Sequence, residues 1–183
     1  MISKKSIFVR TIFMKFALTG PESTGKTTVS QQVTAIIPYI QLQPELARLY
    51  LEETKTSRLS VQEFIEICQK SAKLFRNISK KTQLFDSDQY VLRIWNIKEF
   101  RLPIPEIDEL CAQPFDHHFI CKPDFPWEPD PLRYGGTQDE RDQLFEEYVH
   151  TLTYFNAPFT ILEGSLENKI NTVVQKIREL DKH

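Results

Sequence analysis

The sequence predicts a three-layer α/β fold: a five-stranded parallel sheet with helices on both faces. Two observations predict it. Five short apolar runs alternate with amphipathic patterns of helical period, and parallel strands require such crossovers. The octet Gly20–Thr27, GPESTGKT, also stands between the first apolar run and the first helical pattern. MKFALT (Met14 to Thr19) reads as a buried strand, and TTVSQQVTAI reads as a helix with Val29, Val33 and Ile36 on one face. Tyr39 to Gln43 is a short alternating strand that ends at Pro44-Glu45, and ELARLYLEET begins the next helix. Ser60 and Glu63 form a capping box ahead of the stripe Val61, Phe64, Ile65, Cys68, Ala72 and Phe75. KKTQLFDSD reads as a third strand ending in acids, followed by a short helix with Val91, Leu92, Ile94 and Trp95. His117 to Pro123 is the fourth strand. Residues 124–136 carry Pro126, Pro129, Pro131 and Gly135-Gly136, which exclude a regular helix. Thr137 and Glu140 form a second capping box for a helix reaching about Leu152. Ala157 to Gly164 is the fifth strand, and Ser165 caps a last helix with Ile170, Val173, Val174 and Ile177 on one face.

A chain of 183 residues accommodates one domain of ordinary size, expected over residues 14–183. Residues 1–13 are expected to be a leader or disordered segment, an added edge strand, or sequence upstream of the true start. Arg10 and Lys15 interrupt their apolar character, which excludes a signal-peptide core or a spanning helix there. A net charge of −2 gives no electrostatic case for nucleic acid or an anionic membrane. Cys68, Cys111 and Cys121 are odd in number and lack metal-site spacing, so a reducing, cytoplasmic setting is expected. The sequence is silent on oligomeric state.

The octet has the form Gly-x-x-x-x-Gly-Lys-Thr, with strand before and helix after, which is the context of a phosphate-binding loop (P-loop, Walker A). Gly20 and Gly25 permit a tight turn and close approach to an anion. The amides of Ser23, Thr24, Gly25 and the helix start point at phosphate oxygens, aided by the helix dipole. Lys26 would reach the β- and γ-phosphates, Thr27 would ligate Mg²⁺, and Thr28 could donate to the α-phosphate. The ligand expected is a nucleoside triphosphate, taken as ATP, and Lys26 is expected to be exposed when the loop is empty.

In open parallel sheets ligands lie at the carboxyl ends of the strands. Glu45 and Arg48 follow strand two, and Asp86-Ser87-Asp88 follows strand three. Asp86 is a candidate magnesium partner, directly or through water; Asp86 or Asp88 could also cap the next helix, which does not exclude metal binding. Glu45 or Asp88 could take a proton from, or orient, an acceptor hydroxyl; for Glu45 the alternative is a first-turn acid complementing a helix dipole. Residues 124–136 read as a lid. Trp127 would stack on a substrate ring or simply pack, and Arg133 and Arg141 would close onto phosphates or form surface ion pairs. His117 and His118, inside a strand, read as structural.

Taken together, GPESTGKTT, PELAR-x-YL, FDSD followed by Trp95, PWEPDPLR and the later Arg141 resemble the ribosylnicotinamide kinase domain of bifunctional NAD-biosynthesis regulators, a group often labelled AAA-type P-loop proteins. The resemblance runs from about Met14 to the last helix. It implies a nucleoside- or nucleotide-kinase-like P-loop NTPase fold with a lid. It also implies ATP and Mg²⁺ in the loop, and a nucleoside such as nicotinamide riboside held by Glu45, Arg48, Asp88 and the lid. Trp127, Asp130 and Arg133 fall on the family's lid motif. Ser87 stands where the family has Thr, Lys169 where it tends to Arg, and Pro131 where it has Gly. No nucleotidyltransferase or DNA-binding module precedes the kinase-like region, so the bifunctional architecture is not expected.

The expected function is therefore phosphoryl transfer from ATP to a small hydroxyl acceptor, the ribose 5′-hydroxyl of nicotinamide riboside foremost. Lys26, Glu45, Asp88, Arg133 and Arg141 are the candidate catalytic residues. The alternative is a nucleotide-binding switch or interaction protein with no small-molecule acceptor. A kinase needs a second concave site beside the loop.

Overall fold

A computed structural model describes residues 13–56, 58–126 and 137–181. Trp127, Asp130, Arg133 and most of the expected lid lie outside the described residues, as do residues 1–12 of the expected leader.

The strands are β1 (Lys15–Thr19), β2 (Gln41–Gln43), β3 (Gln83–Phe85), β4 (His117–Cys121) and β5 (Phe159–Leu162). They form one sheet in the order β2-β3-β1-β4-β5, and every pairing is parallel. The helices are α1 (Lys26–Ile36), α2 (Leu46–Thr54), α3 (Val61–Arg76), α4 (Gln89–Trp95), α5 (Pro105–Cys111), α6 (Gln138–Tyr154) and α7 (Leu166–Leu180). A π-helical turn over Asn96–Phe100 extends α4.

Strand side chains alternate between the faces of a sheet, and here each face meets its own helices. Phe16 and Leu18 of β1, with Phe119 and Cys121 of β4, pack on Val29 and Val33 of α1 and Val173 and Ile177 of α7. Ala17, Phe85 and Ile120 turn the other way, into the cluster built by Phe64, Ile67 and Phe75 of α3 together with α4, α5 and α6. This is the three-layer architecture expected from the sequence. Both capping boxes form: Ser60 with Glu63 starts α3, and Thr137 with Glu140 starts α6. Glu63 also accepts from the Tyr50 hydroxyl at 2.7 Å, and these bonds hold its carboxyl at a pKa of about 2. Among the described residues no helix is long and apolar enough to cross a membrane.

The element the sequence reading omitted is α5. It opens with Pro105 at its first position and Glu106 and Asp108 in its first turn, all favoured at a helix start. Its buried residues Ile107, Leu110 and Cys111 stand at i, i+3 and i+4, so a short apolar period is present in the sequence.

Candidate active site

Sheet order puts β1 in the centre, flanked by β3 and β4, so the residues after β1 and β3 emerge side by side at one edge. The phosphate loop hangs from β1. Gly20 has φ 121°, and a Cβ there would lie 2.7 Å from the Cys121 carbonyl oxygen at the end of β4. Backbone conformation and close approach thus both demand glycine. Gly25, at φ 83°, is the N-cap of α1 and offers no side-chain cap. The first intrahelical bond runs from Val29 N–H to the Gly25 carbonyl, so the amides of Lys26, Thr27 and Thr28 precede the helical ladder. Thr27 and Thr28 are exposed on this first turn.

Lys26 departs from the expectation that it is exposed. Only 8% of it is accessible, and Nζ donates to the carbonyls of Gly20 at 2.9 Å and Pro21 at 2.6 Å. The ammonium is drawn to the first two carbonyls of its own loop, which places its charge inside the loop rather than in solvent. Thr24 Oγ1 donates to the same Pro21 carbonyl at 2.9 Å.

Arg141 also lies against the loop. It is 4% exposed; Nη2 donates to the Ser23 carbonyl at 3.1 Å, and Nη1 donates to Phe125 O and Gln138 Oε1. Burial draws its pKa below the usual guanidinium value, against the pull of Asp142 and Asp124. Surface ion pairing is therefore excluded for Arg141. Cys121, buried beneath the loop, senses the same charges: burial raises its thiol to about 11, opposed by Lys26 and Lys169 and reinforced by Asp86.

The two acids after β3 face different surroundings. Asp86 is buried, and its amide donates to the Gln43 carbonyl at 2.8 Å, tying β3 to β2. Asp88 is wholly inaccessible. Its Oδ1 accepts from Thr19 Oγ1 (3.1 Å) and from the amides of Tyr90 (3.0 Å) and Val91 (3.2 Å), while Oδ2 accepts from His118 Nδ1 (2.8 Å). Three donors thus converge on Oδ1 and one on Oδ2, all of them from the protein. Of the two roles read for Asp88, acceptor-facing acid and helix cap, the structure displays the cap: it is the N-cap of α4, and its bonds to Thr19 and His118 also link β1 to β4. His118 Nε2 accepts from the Phe115 amide at 3.2 Å, so the imidazole proton resides on Nδ1. Ser87, between the acids, has φ 143°, unusual for a residue other than glycine.

A narrow cleft, partly open to solvent, lies next to this turn, with a cavity volume of about 20 Å³, room for little more than a water molecule. Glu45, Ala47, Ser71, Ser87, Val91 and Trp95 are among its lining residues. Glu45 is the N-cap of α2 and only 9% exposed. Arg48 turns along its own helix and pairs with Glu52 at 2.9 Å. Of the predicted acceptor residues among those described, the cleft includes Glu45 but neither Arg48 nor Asp88.

Magnesium calls for oxygen donors completed by phosphate and water. The Thr27 hydroxyl on the first turn of α1 and the Asp86 carboxylate after β3 are donors of that kind. Among the described residues no cluster of three or more His, Cys, Asp or Glu could hold an ion unaided.

Sequence reasoning missed Thr19 and the linking role of His118. It also noted Lys169 only as a departure from a family pattern. A signal was present for Lys169: it lies four residues before Val173, on the apolar stripe of α7, and is fully buried.

This architecture and loop define a P-loop, kinase-like α/β protein. The chain belongs to the AAA domain family, whose model matches residues 15–169. Solved structures share the fold at low identity. NadR protein in complex with NR superposes with a TM-score of 0.74 at 18% identity, over 93% of this chain and 51% of that one. NadR protein in complex with NAD and AMP-PNP gives 0.65 at 17%, over 91% and 49%. Thymidylate kinase from Ehrlichia chaffeensis gives 0.58 at 14%, over 90% and 98%. The chain thus spans about half the length of the NadR chains. No curated protein matches the chain.

Proposed function

We propose that the protein transfers the γ-phosphoryl group of ATP to a hydroxyl of a small nucleoside, with the ribose 5′-hydroxyl of nicotinamide riboside as the acceptor. The observation that carries the reading is Glu45, 9% exposed at a narrow cleft on the same sheet edge as the phosphate loop, a cleft that must widen to admit a nucleoside. A nucleotide switch has no need of a second concave site there. The structural likeness to NadR protein in complex with NR supports the choice of acceptor.

In this reaction the acceptor oxygen forms a bond to the γ-phosphorus as the bond from that phosphorus to the β–γ bridging oxygen breaks. The hydroxyl proton passes to Glu45, and ADP leaves with the bridging oxygen. Lys26, anchored by Gly20 and Pro21, holds positive charge at the β- and γ-phosphates. The α1 amides bind phosphate oxygens, and Arg141 exchanges its carbonyl partners for them. Positioning and charge neutralisation account for most of such catalysis. Magnesium, held by Thr27 and Asp86, would supply further neutralisation of the triphosphate. Trp127, Asp130 and Arg133 are proposed to cover the site from the lid segment.

The test is ADP release from Mg·ATP, coupled to a spectrophotometric readout, across a set of nucleosides including nicotinamide riboside. Acceptor-dependent release supports the kinase reading. ATP binding with no acceptor-dependent release from any nucleoside rejects it in favour of a switch.

A further inference from the structure

Lys169 lies on α7, outside the residues so far given a role, and its ammonium is completely buried. An ammonium has three N–H donors. Here they meet the Thr24 carbonyl of the phosphate loop at 3.4 Å, the Lys122 carbonyl after β4 at 2.9 Å and Asp124 Oδ1 at 2.6 Å. Asp124 Oδ2 in turn accepts from the Gly164 amide, so the turn after β5 joins the same junction. The ammonium also stands 4.2 Å from the centre of the Phe125 ring. That ring covers Gly25: a Cβ on Gly25 would come within 3.3 Å of it. One charge thus gathers the outer turn of the phosphate loop, the exit of β4, the residues leading toward the lid and the β5–α7 turn.

We propose that Lys169 is a positioning residue for nucleotide binding. Its charge fixes the Ser23–Gly25 turn in the shape that aims the loop amides at phosphate, while touching no phosphate itself. The physical basis is geometric. The Thr24 carbonyl has to point outward for its neighbouring amides to point inward, and a buried cation on the outer side holds it there. A hydrogen bond to a charged donor is stronger than one between neutral groups, and more so where water is excluded. The proposal rests on the reading that the loop binds a nucleoside triphosphate.

Lys169→Met keeps the length of the side chain and removes the charge; Lys169→Arg keeps the charge. Two measurements separate the outcomes. Amide exchange is followed across residues 22–26 in the nucleotide-free protein, and Mg·ADP binding is followed by titration calorimetry. The expected result for Lys169→Met is at least tenfold faster loop exchange and at least tenfold weaker ADP binding, with Lys169→Arg within about threefold of wild type in both. Should Lys169→Met fail to fold, Lys169→Met/Asp124→Asn removes the abandoned carboxylate charge. The double variant is expected to fold yet still bind ADP at least tenfold more weakly. Wild-type exchange and affinity in a folded Met variant, or an Arg variant as impaired as Met, overturns the proposal. Failure of the wild-type protein to bind ADP rejects the reading of the loop instead, and the exchange measurement still decides the role of Lys169.

Discussion

Replacing Asp88 by Asn separates its two possible roles, because the change keeps shape and removes one acceptor. The N-cap survives: Asn Oδ1 still accepts from the Tyr90 and Val91 amides and from Thr19, and Asn caps helices as well as Asp does. The other side of the carboxylate does not. The new amide N–H₂ would face His118 Nδ1–H at the former 2.8 Å contact. The imidazole cannot escape by changing tautomer, since Nε2 is already the acceptor for the Phe115 amide. Two donors then confront each other where no water reaches. Losing the charge-assisted bond costs about 1.5–3 kcal/mol, and stranding buried donors costs about 1–3 kcal/mol more. The expected destabilisation is about 3–5 kcal/mol, or a Tm lower by on the order of 10 °C for a domain of this size. Urea unfolding followed by far-UV circular dichroism measures it, and a double-mutant cycle with His118→Phe should return a coupling of at least about 1.5 kcal/mol. Turnover per folded molecule should fall less than about tenfold, because the carboxylate has no face toward the acceptor. A variant of wild-type stability with turnover reduced by about 10²-fold would refute this reasoning and restore Asp88 as the general base.

Glu45→Gln should lower turnover by about 10²-fold, the usual general-base contribution, while ATP affinity by calorimetry changes little; lost ATP binding with unchanged turnover per bound nucleotide would reassign it. Lys26→Ala should abolish transfer and, because its two bonds to loop carbonyls are buried, also cost about 1–3 kcal/mol in urea unfolding. Wild-type turnover in that variant would mean that the loop is not the active site. His117 has its pKa depressed from 6.5 to about 4, chiefly by burial. The folded ring stays neutral while the unfolded one protonates, so its contribution to stability is present above pH 6.5 and is lost as pH falls toward 4. At its steepest the loss is about 1.4 kcal/mol per pH unit, and His117→Gln should flatten that limb; a resonance assigned to the His117 imidazole that titrates near pH 6.5 would contradict it.

The parts of this molecule legible in its sequence are those governed by local rules. Phe16-Ala17-Leu18 and Phe119-Ile120-Cys121 announce strands because a sheet covered on both faces buries every residue. Ser60 and Thr137 announce helix starts because capping is a contact over three residues. The loop is legible for the same reason. Asp86 and Asp88 are not separable this way: they stand two apart, the pattern treats them alike, and the partners each side chain meets belong to the folded structure. The partner that consumes Asp88 is 30 residues away on β4, and its other partner, Thr19, is 69 residues away. The concealment of Lys26 escapes a reading that treats lysine as solvent-seeking, since its partners are main-chain carbonyls with no side-chain signature.

Because β1 is the central strand, the two ends of the sheet have unequal freedom from the middle. Among the described residues β2 and β5 are the edge strands, each paired on one side, and such strands detach more readily by local fluctuation. β1 is hydrogen-bonded on both sides and covered above and below, so its amides exchange with solvent only when the whole molecule opens. The stem of the nucleotide loop is therefore a built-in gauge of global unfolding. A ligand bound at the loop slows exchange in β1 by the factor 1 + [L]/Kd, and the retardation measured there yields an affinity without a catalytic assay, a fluorophore or knowledge of the acceptor. Protection confined to residues 20–28 would register direct contact, so a single exchange experiment distinguishes where a ligand touches from how much it stabilises.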